Sequence, residues 1–138
     1  MFVLLSACNR GQHNEEDFYS MNVYLPDGAT IVAQPARYEV EMVRGMMFRD
    51  SLAPDHGMLF THGEPGNYPY WMFQVRIPLD MIWVDQQHHI VEIVPNTQPC
   101  PTKPCASYGG KQKAQYVLEL AAGQAAKHNL KVGDSIRF

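Results

Sequence analysis

From position 21 onward the chain is built from short apolar runs, each closed by a turn signal, and this spacing suits strands far better than helices. Met21-Asn22-Val23-Tyr24-Leu25 alternates as a half-buried strand does, and Pro26-Asp27-Gly28 is a turn that sends the chain back through Thr30-Ile31-Val32-Ala33. Pro35 is expected to end that returning strand. Further strands are expected at Met58-Leu59-Phe60, Tyr70-Trp71-Met72-Phe73, Ile77 to Val84, Ile90 to Val94, Tyr116 to Leu120 and Ser135 to Phe138, with a loop from His62 to Pro69. Only Tyr38 to Met47 departs from the pattern. There Val40, Val43, Met46 and Met47 fall at helical spacing, with Glu39 and Glu41 near the first turn, so a helix with an apolar stripe is expected, weakened by Gly45. A second helical turn is expected from Gly123 to His128. The reading is a mainly β fold, a compact jelly-roll-like or barrel-like sandwich of short strands with one or two short helices.

Composition sets the bounds. The 138 residues are 46% hydrophobic and 18% charged, which is the profile of one folded domain, placed here at residues 21–138. With a net charge of −3 and no basic run, no nucleic-acid partner is expected. No apolar stretch approaches the roughly 20 residues needed to span a bilayer. The start reads differently. Leu5-Ser6-Ala7-Cys8 resembles the bacterial lipoprotein cleavage box, in which the cysteine is lipidated, so residues 1–8 read as the remnant of a longer signal peptide. The alternative is a small apolar strand with an ordinary buried cysteine. Residues 9–20 carry Glu15, Glu16 and Asp17 and read as a polar tether. Asn9, following the cysteine, points to the outer membrane. The expected location is therefore the bacterial periplasm, with the membrane contacted through lipid on Cys8 alone. Cys100 and Cys105 are close enough in sequence to form a disulfide, which suits an oxidising compartment. A zinc pair is the rival reading, but no histidine lies beside them at ligand spacing.

Arg44-Gly45-Met46-Met47-Phe48-Arg49, Gly57-Met58-Leu59-Phe60, Tyr70-Trp71-Met72 and Ile77-Pro78-Leu79-Asp80-Met81-Ile82-Trp83 occur in that order. Tyr116-Val117-Leu118-Glu119-Leu120, Gly123 and Gly133 follow them. Together they resemble the domain-of-unknown-function family 192, also called uncharacterised protein family 0127, over residues 21–138. The resemblance implies a compact, mainly β fold with a small helical part and members that are often exported or lipid-anchored. It implies no established activity, cofactor or catalytic residue. After Trp71-Met72 the family often has Lys-Asn-Thr, where this chain has Phe73-Gln74-Val75. Gln74 can replace an amide in that run, but Phe73 cannot replace a cation.

Asp80 is the most informative charge. A carboxylate inside Ile77 to Trp83 should be buried, and burial without a partner is costly. Arg44, Arg49 and Arg76 are candidate partners because a guanidinium meets a carboxylate with two hydrogen bonds. The structural alternative is an ion pair without function, or a carboxylate accepting backbone N–H bonds. Arg44 and Arg49 can complement a helix C-terminus or hold an anionic group. Trp71, near Tyr68, Tyr70 and Phe73, can stack on a sugar ring or simply pack. Glu119 reads as the exposed face of its strand, and would pair with an arginine if buried. Met42, Met46, Met47, Met58, Met72 and Met81 can fill a core or hold Cu(I). His88 and His89 read as a solvated turn.

No nucleophile elbow, zinc-protease motif or phosphate loop is present, and no cofactor or metal is required by any motif. The expected function is a non-enzymatic binding or accessory module. Its pocket would be formed by Arg44, Arg49, Trp71, Gln74 and Asp80, for an unknown anionic or sugar ligand or another envelope component. Two alternatives stand beside it. One is an enzyme acting on cell-envelope polysaccharide, with Asp80 as the first of two carboxyl groups. The other is a copper-handling periplasmic protein.

Overall fold

A computed structural model describes residues 19–138, so Cys8 and nearly all of the expected tether lie outside the described residues. In chain order the elements are β1 (Met21–Tyr24), β2 (Thr30–Ala36), α1 (Glu39–Arg44), β3 (His56–Gly66), β4 (Tyr70–Trp71), β5 (Leu79–Val84), β6 (Ile90–Thr97), β7 (Ser107–Tyr108), β8 (Ala114–Ala121) and α2 (Gln124–Lys127). The fold is mainly β with two short helices. A six-stranded mixed sheet runs β1-β2-β3-β8-β5-β6, and β4 pairs with β7 in a separate ribbon. Only β2 and β3 are parallel, which requires a crossover rather than a hairpin, and α1 lies in that crossover.

The C-terminal segment draws the sheet into a barrel-like form. Tyr24 and Arg137 exchange backbone hydrogen bonds of 2.7 and 3.1 Å, while the Ile136 N–H donates to the His88 carbonyl at 3.0 Å. One segment thus ties the free edge of β1 to the β5–β6 turn. It closes over a core of Val23, Ile31, Leu59, Ile82, Leu118 and Leu120, among others.

The opposite face of the sheet carries a second core. Side chains alternate along a strand, so Leu59, Ile82, Leu118 and Leu120 point into the first core while Met58, Phe60, Met81, Trp83 and Val117 point into the second. Burial on both faces explains why β5 is buried at every position and reads as a continuous apolar run. Trp83 is fully buried, and its indole N–H donates to the Tyr68 carbonyl at 2.8 Å. Gly109 lies against that ring with φ +62°, and a Cβ there would stand 2.3 Å from the indole, so only glycine fits.

Several expectations are corrected. Pro35 does not end its strand: β2 continues to Ala36, with Pro35 opposite Leu59. The pairing of β1 stops at Ala33, so at Pro35 the β1–β2 ladder asks for no N–H and a proline is tolerated. β3 runs through His62 to Gly66, where a loop was expected, with an irregularity between Thr61 and Gly66. The expected stripe is split: Met46, just past α1, is buried in the second core with Met47 packed against it, while the two valines of α1 stay in water. Val40 is 76% and Val43 65% exposed, and no residue of the helix is buried. What holds α1 is its N-terminus: the Glu41 carboxylate accepts the Arg37 and Tyr38 backbone N–H groups at 2.9 and 3.1 Å. Those bonds also keep the Glu41 carboxyl below its usual range.

Cys100 and Cys105 are bonded, with their Cα atoms 5.9 Å apart. The bridged loop pairs with the segment after β4. The Cys100 N–H donates to the Met72 carbonyl and the Gln74 N–H to the Cys100 carbonyl, both at 3.2 Å. Closing so short a loop is worth about 2 kcal/mol on the chain-entropy view. The double substitution Cys100→Ser, Cys105→Ser should therefore lower unfolding free energy in urea by about 2 kcal/mol and leave the far-ultraviolet spectrum unchanged. A loss of the whole β spectrum would show that the bridge holds the fold itself.

Candidate functional site

The second core is not closed everywhere. Where α1 and the segment after it pass over β3 and β8, a cavity of about 290 Å³ remains. Met42, Met46 and Met47 line it on the helical side, Phe60 and His62 on the sheet side, and Trp71, Phe73 and Val75 at the margin. Alternation explains the sheet side: Met58, Phe60 and His62 share one face of β3, the face that Glu119 shares on β8, where it sits opposite Met58 and Met81 on the neighbouring strands.

Glu119 is the residue that the expectation of an exposed strand face misplaces. It is 4% exposed, it lines the cavity, and its Oε2 has no hydrogen-bond partner among the described residues. Burial drives its pKa up to about 8, although the Arg49 charge pulls the other way. At neutral pH the carboxyl is thus mostly protonated. Two of its neighbours are a histidine and a tyrosine bonded to each other. His62 Nε2 lies 3.0 Å from the Tyr70 hydroxyl, its ring stacks on Tyr68 at 3.6 Å, and burial lowers its pKa. The Tyr70 hydroxyl is pushed upward by burial and by the Glu119 charge.

The expected site residues separate into groups. Arg44 and Trp71 do line the cavity. Trp71 is 42% exposed at its margin, with Phe73 tilted beside it at 5.2 Å. Lys103, from the bridged loop, holds its Nζ 5.0 Å from the Trp71 ring and 4.8 Å from that of Phe73. Arg49 lies instead in an adjoining groove that Arg44 also reaches, and its guanidinium donates to the Gln34 side-chain oxygen. Gln74 is outside the cavity: its amide donates to the Pro101 carbonyl at 3.2 Å, and its own carbonyl accepts the Phe48 N–H, so it ties two segments together.

Asp80 is on the other side of the sheet, and the expected pairing with arginine is wrong. Its Oδ1 accepts the Asn96 N–H at 2.8 Å, and its Oδ2 accepts those of Gly123 and Ala125 at 3.0 and 2.9 Å. Backbone amides at the start of α2 supply the positive pole that a guanidinium was expected to provide. Arg76 pairs with Asp50 at 2.9 Å on the surface. Asp80, the first carboxyl of the expected glycosidic pair, does not line the cavity described above. Among the described residues no group of histidine, cysteine and carboxylate side chains gathers as a metal site.

The model of the uncharacterised family DUF192, described as "Uncharacterized ACR", matches residues 23–138. The chain belongs to this family. Its fold recurs in two crystal structures. A protein of unknown function from Novosphingobium aromaticivorans DSM 12444 is 28% identical, with TM-score 0.77, and the match covers 86% of this chain and 85% of that one. A protein from Sinorhizobium meliloti 1021, described as a candidate transcription regulator, is 30% identical, with TM-score 0.73, over 84% of this chain and 89% of that one. Among curated proteins none matches. No described helix is long and apolar enough to cross a membrane.

Proposed function

We propose that this DUF192 protein is a non-enzymatic binding module that takes a small, largely apolar molecule into the cavity between α1 and the sheet. The observation that carries this is Glu119, a buried carboxyl with an oxygen unpartnered among the described residues, lining a hollow walled mainly by methionine, valine and aromatic side chains, with the exposed Glu39 and Arg44 on its helical side. Buried polar atoms are nearly always paired, and an unpaired one in a cavity is an anchor for a ligand. The methionines suit such a wall, since thioether side chains repack around different shapes. The cavity exceeds the roughly 150 Å³ that admits benzene, so a ring with a short substituent fits. An exported, lipid-tethered setting is part of the proposal, supported by the Leu5 to Cys8 box and the Cys100–Cys105 bridge.

The test is a thermal-shift screen of small amphiphiles on the full chain, repeated with Met42→Trp, which fills the hollow from its half-buried helical side. A ligand at a hundred times its Kd should add about 2.7 kcal/mol to wild-type stability and far less to the variant. Ligands that stabilise both proteins equally would place binding elsewhere.

A second reading rests on a different feature of the same hollow: Met42, Met46, Met47 and His62 all line it, and thioether with imidazole suits Cu(I). Titration of the protein with Cu(I) against a chromogenic chelator decides it. Affinity no tighter than micromolar removes the copper reading.

A further inference from the structure

Granting that the cavity is a binding site, its chemistry narrows what it binds. We propose that the ligand is an organic ammonium ion, its charge set against the Glu119 carboxylate and its apolar body against the rings of Phe60, Tyr70, Trp71 and Phe73.

Two independent features support this. The first is the pairing of a buried acid with aromatic walls. Phe60 and Tyr70 meet edge to face at 5.0 Å beside Glu119, while Trp71 and Phe73 form the outer wall. Ring faces carry partial negative charge, and a desolvated cation gains from them as well as from a carboxylate. The second is that the protein already places an ammonium on two of these rings: Lys103 Nζ stands 5.0 and 4.8 Å from Trp71 and Phe73. Those rings accept a cation in this setting.

Among the described residues the groups around Glu119 give its Oε2 no hydrogen bond, and Lys103, over the outer rings, is a further cation at the cavity margin. On β3, His62 is kept neutral by burial. On β4, Tyr70 has its hydroxyl turned to His62, and its pKa is raised. Beyond α1, Arg49 acts on Glu119 electrostatically but donates its hydrogen bond to Gln34. On α1, Arg44 and Glu39 line the cavity with opposite charges, and both are exposed to water, which screens them. From β5 and β3 the direct neighbours of Glu119 are Met81 and Met58, which carry no charge.

In the empty site Glu119 holds its proton. When an ammonium enters, the carboxyl O–H releases that proton to solvent, the ligand N–H donates to the resulting carboxylate, and the ligand keeps its own charge. One proton is released for each ligand bound, and affinity should rise about tenfold per pH unit while the empty site stays protonated.

The experiment compares 2-phenylethylamine, 2-phenylethanol and 3-phenylpropanoate on the full chain by titration calorimetry from pH 5 to pH 8. The expected result is that the amine binds at least about tenfold more tightly than the alcohol at pH 8, with the gap closing toward pH 5 and the propanoate weakest. Glu119→Gln should abolish the amine's advantage and its pH dependence. Trp71→Leu, at an exposed position that does not threaten folding, should weaken the amine and the alcohol by a similar factor of about three- to fivefold, since both set the same ring against it. If the alcohol or the propanoate matches the amine, or amine affinity is flat with pH, the ammonium assignment fails while the cavity stands as a binding site. If none of the three binds wild type, the ammonium assignment fails too. If Met42→Trp also leaves every screened ligand's stabilisation unchanged, the cavity itself is not the site.

Discussion

Replacing Asp80 by alanine is expected to lower the free energy of unfolding by about 3–5 kcal/mol, measured in urea. The side chain is wholly buried and accepts three backbone N–H groups from two segments far apart in sequence: Asn96 near the end of β6, and Gly123 and Ala125 at the start of α2. Removing it leaves those donors facing apolar surroundings, and each buried donor without an acceptor costs about 1–3 kcal/mol. Asp80→Asn should fall between wild type and alanine, because one oxygen is kept while an NH₂ is turned toward an N–H. Ligand affinity per folded molecule should not change in either variant, since Asp80 and the cavity lie on opposite faces of the sheet. A loss below about 1 kcal/mol would mean that water or another acceptor reaches those amides, and would end the account of Asp80 as the tie between β5, β6 and α2.

Glu119 is expected to make the protein more stable in mild acid than in mild alkali, against the usual trend for carboxylates. Its pKa in the folded chain is raised to about 8 from an ordinary 4.5. Between those values the folded state holds a proton that the unfolded state has lost. Stability from this group is therefore fully present below pH 4.5 and is lost as pH rises through 8. Across pH 5 to 8 the expected loss is about 3 kcal/mol. His62 works in the opposite sense, because its lowered pKa makes the unfolded state the better proton binder below pH 6.5. The quantity to measure is thus the difference between wild type and Glu119→Gln at each pH, with urea unfolding as the readout. That difference should shift toward the variant by about 3 kcal/mol from pH 5 to pH 8. A difference independent of pH would show that Glu119 is ionised and solvated in the folded protein.

These two carboxylates show where reading the chain succeeded and where it stopped. Both interrupt apolar runs, and for Asp80 that was enough to predict burial and the need for a partner. The partner itself was a choice between guanidinium and backbone amides, which depends on how α2 packs against β5. For Glu119, alternation along β8 assigned an outward face, and the assignment fails because this sheet has no outward face at that position: α1 and the β4–β7 ribbon cover it. The same logic explains α1. Helical spacing at Val40, Val43, Met46 and Met47 was legible, yet only Met46 is fully buried while Val40 and Val43 remain largely exposed, so the stripe became core only past the end of α1. β7, two residues long and paired only with β4, left no signal in the sequence.

The sequence by itself determined that the chain is mainly β, that its family is DUF192, where most strands fall, and that Cys100 and Cys105 could bond. Those properties follow from local spacing, turn residues and short loops, which act within a few residues. Only the tertiary structure decided which face of β8 is buried, that Asp80 and Glu119 point to opposite sides of one sheet, and that methionines and aromatic rings from distant segments surround a hollow with one buried acid on its sheet side. Each of these depends on which strands become neighbours, and that is set by a parallel crossover and by a C-terminal segment closing the barrel, contacts whose partners lie far apart along the chain.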